Sequence, residues 1–80
     1  MEDDQIITSI DSLLEEEHKL REQHEDEPLG ENDLARLHQI EASLDQCWDL
    51  LRQRRARREW GQNPDQAAVR DPKVVENYRQ

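Results

Sequence analysis

Apolar side chains recur along the first third of the chain in alternating steps of four and three residues, a spacing that places them on one stripe of an α-helix. The pattern predicts a first helix over about residues 4–27. Asp3 or Asp4 can cap its N-terminus, where negative charge suits the helix dipole, and Pro28 prevents its continuation. The stripe consists of Ile6, Ile10, Leu13, Glu17, Leu20 and His24.

A second stripe with the same spacing predicts a longer helix over about residues 33–60. Asn32 is a suitable N-cap for this helix. Gly61 follows directly and is expected to leave the helix in the left-handed conformation. The stripe consists of Leu34, Leu37, Glu41, Leu44, Trp48, Leu51, Arg55 and Arg58.

The connection between the two helices is short, and such connections normally fold two helices back as antiparallel neighbours. We therefore predict an all-α protein with an antiparallel, coiled-coil-like two-helix hairpin over residues 1–61. A turn centred near Leu29 brings the acidic residues 2–4 close to residues 54–57. The facing pairs are then Leu20 with Leu37, Glu17 with Glu41, Leu13 with Leu44, Ile10 with Trp48, and Ile6 with Leu51.

Both helices carry more apolar side chains than one partner helix can cover. Ile7 and Leu14 widen the first stripe, and Ile40, Cys47 and Leu50 widen the second. Either a second copy or the chain's own tail must cover them. Because the tail carries few apolar groups, we expect a homodimer that forms a four-helix bundle. The residues expected in this interface and core are Ile7, Leu14, Ile40, Leu44, Cys47, Trp48 and Leu51.

The remaining residues, 62–80, are predicted to form a partly ordered tail with short helical turns. Asn63 before Pro64 and Asp71 before Pro72 each combine an N-cap with a proline at the first helical position. The apolar face that would dock loosely on the hairpin consists of Val74, Val75 and Tyr78.

The composition is typical of a small domain of marginal stability. Of the 80 residues, 32% are apolar and 39% are charged, and so short a chain buries a small share of its surface. Cys47 is the single cysteine and cannot form an internal disulfide, which favours a reducing cytoplasm. The sequence contains neither the about 20 apolar residues of a membrane span nor the positive start of a signal peptide, so we expect a cytoplasmic protein with no membrane association.

The net charge of −9 arises in the first helix: residues 1–27 carry eleven acidic and two basic side chains, and residues 28–80 carry nine of each. This excess disfavours non-specific binding to nucleic acid. A basic cluster in the second helix could still contact phosphates, with Trp60 stacking beside it. Alternatively, the cluster stabilises the end of the helix and is neutralised by residues 2–4. The cluster consists of Arg52, Arg54, Arg55, Arg57 and Arg58.

A metal site is suggested only weakly. Glu17 and Glu41 face each other in the predicted register, and Glu15-x-x-His18 has the spacing of half a di-metal motif. Leu44 stands where the second half of the motif would need its histidine, so the motif is incomplete. Ion pairs with neighbouring basic side chains are an alternative role for Glu17 and Glu41. No phosphate loop or nucleophile with a neighbouring base is present in the sequence, and we expect neither enzymatic activity nor a cofactor. The weak metal candidates are Glu17, His18, His38 and Glu41.

The stretch LDQCWDLLRQRRARRE at residues 44–59 resembles a family of short actinobacterial proteins of unknown function. The tail pattern of Val75, Tyr78 and Gln80 is similar to that family too. The resemblance extends over most of the chain and implies a bacterial, cytoplasmic setting, and it assigns no site residue.

The sequence therefore predicts a small cytoplasmic helical interaction module that acts as a homodimer and is not an enzyme. The alternative is a nucleic-acid-associated protein that uses the arginines of residues 52–58. A metal-binding helical bundle is a third and more distant hypothesis.

Overall fold

The computed structural model describes residues 2–24 and 27–78, with side chains described as far as Val75. Two long helices, α1 (Asp3–Gln23) and α2 (Glu31–Glu59), pack against each other as the predicted antiparallel hairpin. A single 3₁₀ turn (Pro64–Gln66) and a short helix, α3 (Pro72–Tyr78), follow and pack on α2. The predicted all-α hairpin is confirmed. No helix in the described part of the chain is long and apolar enough to cross a bilayer.

The start of α1 differs by one position from the prediction. Glu2 is the N-cap, and its backbone N–H donates to Gln5 Oε1 at 2.8 Å. Asp3 and Asp4 lie in the first turn, where their charges suit the positive end of the helix dipole. The carboxylate of Asp3 is therefore available for contacts with α2.

The first helix also ends earlier than Pro28 suggested. Its last residue is Gln23, and the predicted extension through residues 25–26 falls outside the described residues. His24 leaves the helix, and its Nε2 lies 2.7 Å from Asp33 Oδ2 at the start of α2. Proline restricts mainly the residue before it, so Pro28 does not fix the last residue of α1.

The N-cap of α2 is Gly30, and the prediction of Asn32 was wrong. The backbone N–H of Leu34 donates to the Gly30 carbonyl at 2.9 Å, so the helical hydrogen bonds begin two residues earlier and Asn32 lies in the first turn. The other end agrees with the prediction. Gly61 has a φ of 71°, and the N–H of Gln62 donates to the carbonyl of Arg57 at 2.7 Å, as in a Schellman C-cap.

Contacts at both ends of the hairpin fix its register. Asp3 lies opposite Arg54, and His24 lies opposite Asp33. This is the register in which Leu13 lies opposite Leu44, as the spacing of the two stripes predicts.

The rotation of α2 about its own axis differs from the prediction. Ile40 is completely buried, whereas Trp48, expected in the seam, is 45% exposed. Glu41 also lies at the surface, beside Arg21. The helix is turned so that Ile40 and Leu50 point inward. The buried core cluster consists of Ile6, Ile10, Ile40, Leu44 and Leu50.

The tail covers part of what was assigned to a dimer interface. Val75 in α3 is completely buried, and both α3 and the 3₁₀ turn pack against α2. Ile40 and Leu50 are buried within the single chain, so the prediction that they face a second copy was wrong. The tail has few apolar groups, as the sequence indicates, and polar contacts hold it in place instead.

The two glycines provide a matched test of the helix ends. Serine at Gly30 can cap α2 with its hydroxyl at a φ of −69°, and should raise the free energy of unfolding by about a few tenths of a kcal/mol. Serine at Gly61 must adopt a positive φ, and should lower it by about 1 kcal/mol. Urea denaturation of Gly30→Ser and Gly61→Ser measures both. Equal effects at the two positions would contradict this assignment of the caps.

Candidate interaction surface

A polar cluster fastens the tail to one side of α2. Asp49 is 1% exposed, and both of its carboxylate oxygens accept hydrogen bonds from the Arg70 guanidinium. The distance between Arg70 Nε and Asp49 Oδ2 is 2.8 Å. Gln53 Nε2 donates to Asp49 Oδ2 and to the Ala68 carbonyl, each at 2.8 Å. Gln46 Nε2 donates to the Arg70 carbonyl at 3.1 Å. These bonds fix an irregular segment that has little apolar surface of its own.

The charge of Asp49 is balanced inside this cluster. The hydrogen bonds from Arg70, and secondarily that from Gln53, lower the pKa of the Asp49 carboxyl against the opposing effect of burial. Sequence reasoning missed both Asp49 and Arg70. The available signal was an acidic residue between Trp48 and Leu50, in the most apolar part of α2.

Two of the five clustered arginines bind the start of α1. Arg54 is 5% exposed, its Nε donates to Asp3 Oδ1, and its Nη1 donates to Asp65 Oδ1 at 3.0 Å. Arg58 Nη2 donates to Asp3 Oδ2 at 2.7 Å. Hydrogen bonds from Arg58 and then Arg54 lower the pKa of Asp3 to about 2. Arg54 and Arg58 thus serve the fold by holding α1, α2 and the tail together.

Arg52 and Arg55, two other arginines of the cluster, lie farther from their nearest carboxylates than Arg54 and Arg58 do. Arg52 Nη2 lies 3.8 Å from Asp49 Oδ1, and Arg55 Nε lies 4.0 Å from Glu59 Oε1, both at the limit for an ion pair. Arg57 is partly buried. Arg52 and Arg55 border a groove of about 320 Å³ that also contains Asp3. The complete lining is Asp3, Trp48, Leu51, Arg52, Arg55 and Arg58.

The weak metal candidates are not brought together. Glu41 pairs with Arg21 at 3.8 Å, and His18 Nε2 lies 3.7 Å from Glu22 on its own helix. Within residues 2–24 and 27–75, no three histidine, cysteine, aspartate or glutamate side chains are grouped so that they could hold a metal ion. Glu17 and His38, the other candidates, belong to no such group among these residues.

Two helical stripes border the side of the hairpin that the tail leaves uncovered. Side chains four or seven residues apart share one face of a helix. The stripe on α1 consists of Asp3, Ile7, Leu14 and Arg21. The stripe on α2 consists of Leu34, Glu41 and Trp48. Asp3 and Trp48 line the same groove, and Arg21 pairs with Glu41, so the two stripes lie on the same side of the hairpin.

The apolar members of these stripes, here named the open face, are all close to half exposed. The exposed fractions are 46% for Ile7, 44% for Leu14, 42% for Leu34 and 45% for Trp48. Each side chain therefore covers part of the hairpin and presents its other side to solvent.

The interface residues predicted from the sequence are thus divided between three environments. Ile7, Leu14 and Trp48 lie on the open face, and Ile40 and Leu44 belong to the buried core. Leu51 and Cys47 are half-buried beside that core. Burial raises the pKa of the Cys47 thiol, which lines a cavity on the tail side with Val69.

Removing the anchor of the tail should weaken the fold. Asp49→Ala removes the carboxylate that accepts hydrogen bonds from Arg70 and Gln53, so the free energy of unfolding should fall by about 1–3 kcal/mol. Asp11→Ala changes an exposed aspartate of α1 and should cost much less. Thermal unfolding followed by circular dichroism measures both variants. Equal melting temperatures would show that the Asp49 cluster does not hold the tail.

The Asp3 contacts should make stability depend on pH in the acid range. The pKa of Asp3 is lowered from 3.8 to about 2 in the folded state, so its contribution is complete above pH 3.8 and is lost as the pH falls towards 2. Asp3→Asn should flatten this part of the pH profile, and Asp11→Asn should not. Urea midpoints measured across this pH range test the expectation. An unchanged profile in Asp3→Asn would contradict it.

Similar proteins are found in mycobacteria. An uncharacterised protein of Mycobacterium bovis, Mb0922c, is 44% identical over 77 residues, covering 95% of this chain and 88% of the relative. Rv0898c of Mycobacterium tuberculosis, also uncharacterised, matches to the same extent. No solved structure matches this chain.

The family model described as "Protein of unknown function (DUF2630)" matches residues 2–80. This match confirms the resemblance inferred from residues 44–59 and from the tail. The chain belongs to the DUF2630 family of proteins of unknown function.

Proposed function

We propose that the protein is a helical interaction module without enzymatic activity, and that it forms a homodimer through the open face. The observation that carries this proposal is the near half exposure of four apolar side chains on one side of the hairpin while the tail covers the other side. Exposed apolar side chains grouped on one face and bordered by polar residues are typical of protein–protein contact sites. Trp48 would be the main anchor, since tryptophan is enriched among the residues that dominate interface energies.

The distribution of charge supports a second copy as the partner. Residues 15–33, around the connection between the helices, carry nine acidic and two basic side chains, whereas residues 52–58 at the other end carry five arginines and no acid. An antiparallel arrangement of two hairpins places the arginine end of each copy beside the acidic end of the other. Such an arrangement uses the same surface on both copies, as a two-fold interface requires.

The resulting assembly would be a four-helix bundle in which α1 and α2 of each copy pack across the open face, with the tails on the outside. This differs from the bundle expected from the sequence, because Ile40 and Leu50 contribute to the core of each chain and not to the contact between chains. The free thiol of Cys47 agrees with a cytoplasmic setting for the module.

The second hypothesis, nucleic-acid binding, has fewer arginines available than the sequence suggested. Arg54 and Arg58 already bind Asp3, and each phosphate contact by them would compete with an internal ion pair. Arg52, Arg55 and Arg57 remain. A three-arginine patch on a chain with a net charge of −9 supports weak, salt-sensitive contact with phosphates.

Sedimentation at micromolar concentration tests the homodimer. The parent chain should sediment as a dimer, and Leu14→Glu should convert it to a folded monomer because a charge enters the middle of the apolar contact. Val69→Glu changes another exposed apolar side chain on the tail side, and should remain dimeric. A parent chain that is monomeric, or equal dissociation of both variants, would refute an interface at the open face.

A further inference from the structure

The groove between the start of α1 and the last turns of α2 is a small, positively charged site on an acidic protein. Asp3 lies in it, but both oxygens of that carboxylate are held by Arg54 and Arg58. The charges of Arg52 and Arg55 are not matched in the same way. Their side chains are 59% and 80% exposed, and their carboxylate contacts in the described part of the chain are no shorter than 3.8 Å. The groove therefore has two exposed guanidinium groups that no close carboxylate holds in the described part of the chain.

The acidic residues around the connection between the helices, 15–33, do not cancel this positive charge. The connection lies at the opposite end of the hairpin, and the separation of 22 residues between Asp33 and Arg55 spans about 33 Å of helix. At physiological ionic strength the Debye length is about 8 Å, so the charges around the connection are screened from the groove. An anion that reaches the groove experiences mainly the charges at this end of the hairpin, where three arginines and one aspartate line the groove.

The groove also has an apolar wall. The indole of Trp48 and the side chain of Leu51 line it beside the arginines, and Trp48 is nearly half exposed. A flat ring can stack on an exposed indole, while a guanidinium group binds two oxygens of a phosphate or carboxylate at once. The volume of about 320 Å³ is at the lower end of the range for small-molecule sites.

We propose that this groove binds a small molecule in which a phosphate or carboxylate group is joined to a planar ring. Arg52 and Arg55 bind the anionic group, and Trp48 together with Leu51 receives the ring. Arg58 borders the site while its guanidinium stays on Asp3, so that α1 forms one wall. All of these residues belong to one chain, so a monomer contains the complete site. Because Trp48 also belongs to the open face, the ligand and a second copy compete for this side chain.

Fluorescence of Trp48 reports binding directly. Trp60 is 81% exposed and lies outside the groove, so Trp60→Phe leaves a single reporter with little effect on the fold. This protein is titrated with adenosine monophosphate, benzoate, adenosine and inorganic phosphate. One of the two molecules that combine a ring with an anion should quench Trp48 at a concentration about tenfold below that of adenosine or phosphate. If adenosine monophosphate binds more tightly than benzoate, the anionic group of the ligand is a phosphate. If benzoate binds more tightly, the anionic group is a carboxylate.

Matched variants assign the effect to the groove. The double variant Arg52→Ala and Arg55→Ala should weaken binding about tenfold or more, because it removes both charge-assisted contacts. Arg57→Ala removes a neighbouring charge that does not line the groove, and should bind as the parent does. Circular dichroism of each variant verifies that the helices are intact. Binding that is equal in the double variant and the parent would overturn the proposal.

Two further outcomes would also overturn it. Inorganic phosphate that binds as tightly as the ring-bearing anions would overturn it, because Trp48 and Leu51 would then contribute nothing to binding. Single-stranded DNA that binds far more tightly than any small anion would also overturn it. If the slope of its binding constant against salt concentration corresponds to several phosphate contacts, the groove belongs to a nucleic-acid site. Repeating the titration with Leu14→Glu separates the two proposals. If this variant is monomeric and still binds the ligand, the groove proposal stands whether or not the parent chain forms a homodimer.

Discussion

The guanidinium group of Arg54 connects three segments of the chain. It binds Asp3 at the start of α1 and Asp65 in the tail, and it is almost completely buried between them. Breaking a buried ion pair on one side leaves an uncompensated charge, which costs more than an exposed pair. This contact therefore fixes the register of the hairpin at the end away from the connection between the helices, and it positions the first turn of the tail. Arg58 reinforces it by binding the second oxygen of Asp3.

Polar contacts of this kind compensate for a small apolar core. Only 32% of the residues are apolar, and the buried cluster contains five side chains of the hairpin. A hairpin alone would leave one side of α2 without cover. The tail covers that side with Val75 and is held there by Asp49 and Arg70. The same segment would gain little by docking through its apolar groups alone, since ordering each residue costs about 1–2 kcal/mol.

The one-sided position of the tail explains why the two faces of the hairpin differ. On the tail side, Ile40 and Leu50 are buried and the thiol of Cys47 is partly covered. On the open face, Ile7 and Trp48 remain accessible, and the groove of Arg52 and Arg55 adjoins them. Both the proposed homodimer contact and the proposed ligand groove therefore lie on the side of the hairpin that the chain itself does not cover.

The sequence by itself determined the two helices and their antiparallel arrangement, because the apolar spacing, the short connection and the C-cap at Gly61 are local signals. The tertiary structure decided which side of α2 faces inward. Residues Ile40 and Trp48 both lie near the edge of a wide apolar stripe, and helical spacing does not choose between them. In the tertiary structure Ile40 packs with Ile6 and Ile10 of α1, and Asp49 binds Arg70 of the tail. Both contacts join residues more than 20 positions apart, which no local pattern encodes.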